Sequence, residues 1–251
     1  MKRGRQFLLV SAGLLVFAGV LLAYLPASWV AARIPAELQI ACREVGGSVW
    51  EGECLGLSLR GARLGDATWN VGRMGALTGR LVGDVNLRGA FNARADVDLS
   101  FSATGELRNV RLDFPLDPAI LPGAPAQQRG EVHADLARLV LENRTIRGIE
   151  GTIDLTNLRQ VVSPVMDLGS YRGTFDGAAA ADGAVVGRIN DLGGAFAVDA
   201  TLTLTPPDNY RLQGFITGRT VDAERLVRNQ IALGTRPDAS GRSEFGIEGS
   251  Y

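Results

Sequence analysis

A single histidine, His133, stands in the segment Glu131-Val132-His133-Ala134-Asp135. Imidazole is the side chain whose ordinary pKa suits proton transfer near neutrality, so a nucleophilic triad in this chain would rest on it. Alternation puts Glu131, His133 and Asp135 on the polar side of a strand. A solvated strand histidine accounts for the same pattern without chemistry. Asp96 and Asp98 are a second candidate, because carboxylates two apart on a strand share a face. Arg94 shares that face too, and an ordinary charged surface explains all three. Asp191, with Gly193 and Gly194, reads as turn punctuation. Asn143-Arg144-Thr145 fits the acceptor pattern for glycosylation, but so short a motif recurs by chance and no glycan is expected. No G-x-S-x-G elbow, P-loop or dinucleotide fingerprint occurs. The chain is not expected to be an enzyme or to hold a cofactor or metal.

Cys42 and Cys54 are the only cysteines. Two thiols without a nearby histidine leave tetrahedral zinc half-liganded. Their state depends on the compartment, which the first segment sets. Lys2, Arg3 and Arg5 precede an uncharged run from Gln6 to Val30, whose apolar part, Phe7 to Leu25, is 19 residues long. A helix needs about 20 apolar residues to cross a bilayer. Tyr24 and Trp29 lie at its far end, where amphipathic rings favour the interface, and the basic residues before it put the N-terminus in the cytoplasm. A cleaved signal peptide is the rival reading. Its apolar region is usually shorter, and Pro26 makes "LPAS" a poor cleavage site. Both readings export everything after Val30. In an oxidising periplasm Cys42 and Cys54 are expected to pair, two free thiols being the alternative. Closing so short a loop stabilises by about 3 kcal/mol in the chain-entropy account.

The chain must then supply elements that fold outside the cytoplasm. Gly is abundant at 32 residues, and aromatic residues make up 6%. That profile fits short strands and tight turns. Leu77, Gly79, Leu81, Gly83, Val85 and Leu87 share one parity, and Phe91, Ala93, Ala95, Val97, Leu99 and Phe101 continue it after Gly89. Polar residues fill the other parity, from Thr78 to Arg88 and from Asn92 to Ser102. Val132, Ala134 and Leu136, then Leu139 and Leu141, repeat the pattern, as do Ile149 to Leu155 and Phe196 to Leu204. Period-two alternation means antiparallel sheet with one solvated face. One helix stands out: Asp222 as cap, Ala223, Val227 and Ile231 spaced at four, and Gly234 as stop. With so few helices, the greasy faces must meet more sheet, or one sheet must curl. Gly79, Gly83 and Gly151 on the apolar parity mark the expected bends.

The expected fold is mainly β: an N-terminal transmembrane helix, then a curved or folded-over antiparallel periplasmic sheet, with one short helix in its C-terminal half. The segments read as 1–6 cytoplasmic tail, 7–26 signal anchor, 27–55 juxtamembrane with the disulfide loop, 56–121 first β half, 122–130 proline-rich linker and 131–251 second β half. Trp69 has core parity. Trp29 and Trp50 are the candidate anchoring or contact residues. The candidate apolar face comprises Leu77, Leu81, Val85, Leu87, Phe91, Val97, Leu99 and Phe101. A formal net charge of −1 gives no basic surface, so nucleic acid is not an expected partner.

Several stretches, in order, resemble the protein N family of the bacterial type II secretion system. The apolar anchor ends in "LPASWVA". "GGSVWEGEC" matches the family's Gly-x-Val-Trp-x-Gly turn with Gly47, Val49, Trp50 and Gly52. "LGDATWNV", "GRLVGDVNL", "FPLDPAILP", "LGSYRGTFDG", "INDLGGAFAVDATLTLTPPDNYRLQGFITGR" and "ALGTRPDASGRSEFGIEG" follow in the family's order. The flanking cysteine pair is a departure. The resemblance implies a non-enzymatic, single-pass inner-membrane protein with a periplasmic domain. Its implied partners are the inner-membrane platform proteins and the secretin. Sheet edges offer a route to partners or to self-association. The family is more distantly similar to AsmA-like and TamB-like envelope proteins, which implies the alternative of a periplasmic lipid-binding groove.

Overall fold

A computed structural model describes residues 23–100, 102, 104–118, 126–143, 145–162, 165–179, 183–231 and 235–250, together with 13, 17 and 19–21. Fourteen strands form one antiparallel sheet: β1 (Ile40–Ala41), β2 (Glu44–Gly47), β3 (Glu51–Leu59), β4 (Ala62–Val71), β5 (Arg80–Arg88), β6 (Asn92–Ser100) and β7 (Thr104–Leu116). It continues with β8 (Gln128–Glu142), β9 (Thr145–Gln160), β10 (Met166–Ala179), β11 (Val185–Gly193), β12 (Phe196–Thr205), β13 (Asn209–Gly218) and β14 (Ser243–Ser250). From β3 onward each strand pairs with its chain neighbours, while β1 and β2 both pair with β3 as two halves of one edge. β7 pairs with β8 from Thr104↔Glu142 to Leu116↔Gly130, so the ladder runs unbroken past the proline-rich segment.

Alternation fixes the register. On β12 and β13, Ala200 faces Gly214 and Leu202 faces Leu212, which puts apolar groups on one side. A slip of one residue would turn every one of them to water. The opposite side carries cross-strand ion pairs such as Asp154–Arg172 at 2.6 Å and Glu106–Arg138 at 3.0 Å.

Among the described residues the apolar side meets no second sheet. Val110, Ala134, Leu136, Ile149, Phe175 and Val185, from five consecutive strands, form one buried cluster. The sheet therefore curls, and its own side chains cover one another. Extra residues produce the bend. β8 carries a bulge between Leu136 and Arg138, aligned with the left-handed Asn109 on β7. The switch of apolar parity from Leu136 to Leu139 is the sequence trace of that bulge. Gly187 lets the Phe175 ring lie directly on the backbone of β11; a Cβ there would sit 2.7 Å from Phe175 Cδ1.

Among the described residues the sheet is accompanied by the α-helices α1 (Ala27–Ala31), α2 (Arg73–Leu77) and α3 (Val221–Leu226), the last continuing as a π-turn over Val227–Ile231, and by a 3-10 turn at Ala36–Leu38. α3 sits near the position expected for a helix, but Thr220 caps it, its hydroxyl accepting from Ala223 N–H at 3.2 Å, and Asp222 does not. Ala223 and Val227 pack on Phe196, Ala200, Ile216 and Phe245, forming a second core under the last strands. Ile231 stays exposed, and Gly234 lies outside the described residues.

Other expectations change. α2 occupies the expected start of the first strand, so Leu77 is helical and β5 begins at Arg80. Gly79, with φ +78, lies in the turn after that helix and bends no strand. Gly83 does sit where two backbones approach: a Cβ there would lie 2.8 Å from Val71 Cα. The span expected over 7–26 falls largely outside the described residues. Among those described, no helix is long and apolar enough to cross a membrane.

Candidate functional site: the two edges of the sheet

The residues read first for chemistry are held by their own neighbours. His133 Nδ1 lies 2.6 Å from Asp113 Oδ1 on β7, and its Nε2 lies 3.8 Å from Glu131. The Asp113 hydrogen bond raises the histidine pKa above its ordinary value. Asp96 accepts from Asn109 Nδ2 at 2.7 Å, and Asp98 pairs with Arg80. Asp191 accepts from the Val198 and Gly193 N–H groups and pairs with Arg219 at 2.7 Å, which locks the turn into β12. Among the described residues no cluster of His, Cys, Asp and Glu could hold a metal.

The first edge is broken into two short strands and cross-linked. Cys42 follows β1 and Cys54 lies on β3, and a disulfide joins them with the Cα atoms 5.5 Å apart. Gly47, at φ +77, starts a tight turn in which Ser48 N–H donates to Glu51 O at 2.8 Å, and the Ser48 hydroxyl accepts from Glu51 N–H at 3.1 Å. Trp69 on β4 completes it: its indole N–H donates to Ser48 O at 3.3 Å, and its ring lies over Gly52. A Cβ on Gly52 would sit 2.5 Å from Trp69 Cζ2, so only glycine fits. Trp50 is half-buried in the same turn. Trp69, which has core parity in the sequence, holds the turn as well, beside Trp50, whose carbonyl accepts from Val71 N–H. Trp29 is 59% exposed, with the Arg33 guanidinium 5.0 Å over its ring. Between α1 and the sheet lies an apolar pocket of about 300 Å³, walled by Ala27, Val30, Val45, Trp69 and the disulfide.

The candidate face residues divide. Leu81 faces Leu99, Val85 faces Ala95, Leu87 faces Ala93 and Val97 faces Leu107, so these five candidates share one side. Leu81, Leu87 and Val97 are half-buried, whereas Val85 and Leu99 remain 37% and 38% exposed. Phe91 lies just before β6 and stacks on Phe114, ring centroids 4.5 Å apart. Leu77 leaves the face for α2, and Phe101 lies outside the described residues.

The last edge is open. β14 pairs only with β13 among the described residues, so the sheet does not close. Phe245 is buried and Ile247 exposed, while Glu244 and Glu248 face the polar side and Glu248 pairs with Arg211 at 2.6 Å. Among the described residues no strand lies beyond β14, though the Thr235 hydroxyl donates to Glu244 O at 3.2 Å, and unpaired edge groups template pairing with another chain.

No curated protein and no solved structure matches the chain. A family model described as "Type II secretion system (T2SS), protein N" matches residues 38–245, a span that takes in the disulfide loop, all but the tail of the sheet and the start of β14. The chain belongs to the protein N family of the type II secretion system.

Proposed function

We propose that the chain is a non-enzymatic subunit of the type II secretion machinery, anchored in the inner membrane by residues 7–26 with its sheet in the periplasm. It assists export of folded proteins across the outer membrane by contacting the inner-membrane platform proteins, the secretin or both. The observation that carries the contact is the open eight-residue strand β14, whereas the other edge is split into the short strands β1 and β2 and stapled to β3 by the Cys42–Cys54 disulfide. An extended segment of a partner adds to such an edge through main-chain hydrogen bonds. Self-pairing of two β14 strands in antiparallel register about Gly246 would bring Glu244 opposite Glu248, and like charges directly opposite are destabilising. Another component is thus the better-matched occupant.

Photo-crosslinking from Glu244, Gly246, Ile247 and Glu248 of the full chain in secreting cells tests this. Adducts with a platform protein or the secretin are expected. Adducts with neither, while the chain stays membrane-bound, refute the contact reading. A second reading, a periplasmic lipid-binding groove, draws on the exposed Val85 and Leu99 of the apolar face. Native mass spectrometry of the purified full chain separates the two: absence of any retained phospholipid removes the groove.

A further inference from the structure

Every ion pair among the described residues uses a cation at or beyond Arg80. Arg33, Arg43, Arg60, Arg63 and Arg73 are all exposed and take no part. Three of them, Arg33, Arg43 and Arg60, lie along the first edge. Arg33 follows α1, Arg43 separates β1 from β2, and Arg60 sits in the β3–β4 turn with its N–H on Gln39 O at 2.9 Å. The acids of the same stretch, Glu37 and Glu44, pair with none of them. The same edge exposes Trp29, Val30 at 49%, Ile34, Leu38 at 46% and Ile40. Scattered apolar side chains are normal on a surface. Here the dozen residues Trp29–Ile40 hold five of them around Arg33, whose guanidinium donates to Trp29 O at 2.8 Å, with Arg43 and Arg60 beside the run.

The chain next to this edge says what covers it. The apolar run Phe7–Leu25 ends here, and it ends inside the sheet's own hydrogen bonding. Val49 N–H donates to Leu25 O at 3.0 Å, and Pro26 bridges to Ser48. No linker separates the run from the sheet, so a bilayer holding the run must touch this edge. Tryptophan and arginine are the residues that suit its interfacial layer, the ring among headgroups and the guanidinium on phosphate.

We propose that the edge from Ala27 to Arg43, with Arg60, lies flat on the bilayer surface. Trp29, Val30, Ile34, Leu38 and Ile40 enter the interfacial layer, and Arg33, Arg43 and Arg60 contact the phosphates of anionic phospholipids. The proposal rests on the reading of residues 7–26 as an anchor. It goes further by fixing the orientation of the sheet: strands parallel to the membrane, with successive strands farther out.

The test uses the full chain in bilayer discs of phosphatidylglycerol and phosphatidylcholine, made with and without brominated acyl chains. Bromine quenches tryptophan on contact. The unaltered chain is expected to lose emission in brominated discs, and the Trp29→Phe variant to lose none. Reversing Arg33, Arg43 and Arg60 to Glu is expected to cut the quenching about twofold in anionic discs and less in phosphatidylcholine alone. Equal emission from the unaltered chain in both disc types overturns the proposal, as does unchanged quenching in Trp29→Phe. Alkaline carbonate washing of membranes separately tests the anchor: release of the chain refutes that reading, and the quenching still decides the seat.

Discussion

Glu106 accepts hydrogen bonds from Arg108 on its own strand, at 2.7 Å, and from Arg138 on the next, at 3.0 Å. These bonds lower its pKa from an ordinary 4.5 to about 2. A depressed carboxylate contributes stability that is full above 4.5 and lost as pH falls toward 2. Asp154, lowered by Arg172, acts in the same direction. His133 acts oppositely: raised by Asp113, it stabilises below its ordinary 6.5, and that contribution fades as pH rises through the folded value. Urea unfolding of the full chain in detergent, followed by tryptophan fluorescence across pH, should show a falling acid limb between 4.5 and 2. The Glu106→Gln variant should flatten part of that limb and leave stability at neutral pH only slightly lower, because the group is solvent-exposed. At this scale the sequence was readable where side chains alternate: His133 and Asp98 were placed correctly on the polar side. It was unreadable where one ring rests on one glycine. Nothing local pairs Gly52 with Trp69 or Gly187 with Phe175, since both contacts depend on strand register.

α3 and its π-turn cover the apolar side of the last strands, together with side chains such as Met166 and Leu168. Val227 is buried there beside Phe245, which belongs to the open edge strand. Val227→Ala is expected to destabilise by about 2 kcal/mol, from lost apolar burial and the cavity left behind. The loss should be local. Hydrogen exchange should quicken in β13 and β14 and stay unchanged in β7 to β9; uniform quickening would contradict the separation of the two cores. The helix was legible because its apolar spacing of four departs from the surrounding period of two. Its cap was misplaced by two residues, since Thr220 and Asp222 are both good capping types and only backbone geometry separates them. α2 was missed for a plainer reason. Leu77 continues the apolar parity of β5, and a five-residue helix is too short to show its own period.

Strand order equals chain order from β3 to β14, which makes the molecule nearly one-dimensional. In such an array each unit is stabilised chiefly by its neighbours. The longest strands, β7 to β10, surround the central cluster, so exchange should be slowest there and faster toward β4 and β14. Mass-resolved hydrogen exchange of the full chain checks this, and a single uniform opening rate would refute it. Continuity of the sheet, its open end and its divided start were not written in any local pattern; alternation gives a strand's two faces and says nothing of which strand lies beside it. At about 4.8 Å per strand, β14 stands roughly 58 Å of curved sheet away from β1. The same ordering bears on biogenesis. In the topology proposed above, the segments after the anchor emerge in chain order, and each strand from β3 onward finds a partner already outside. Folding in that order never has to wait for a distant segment, and each hairpin that closes outside would hinder the chain from sliding back.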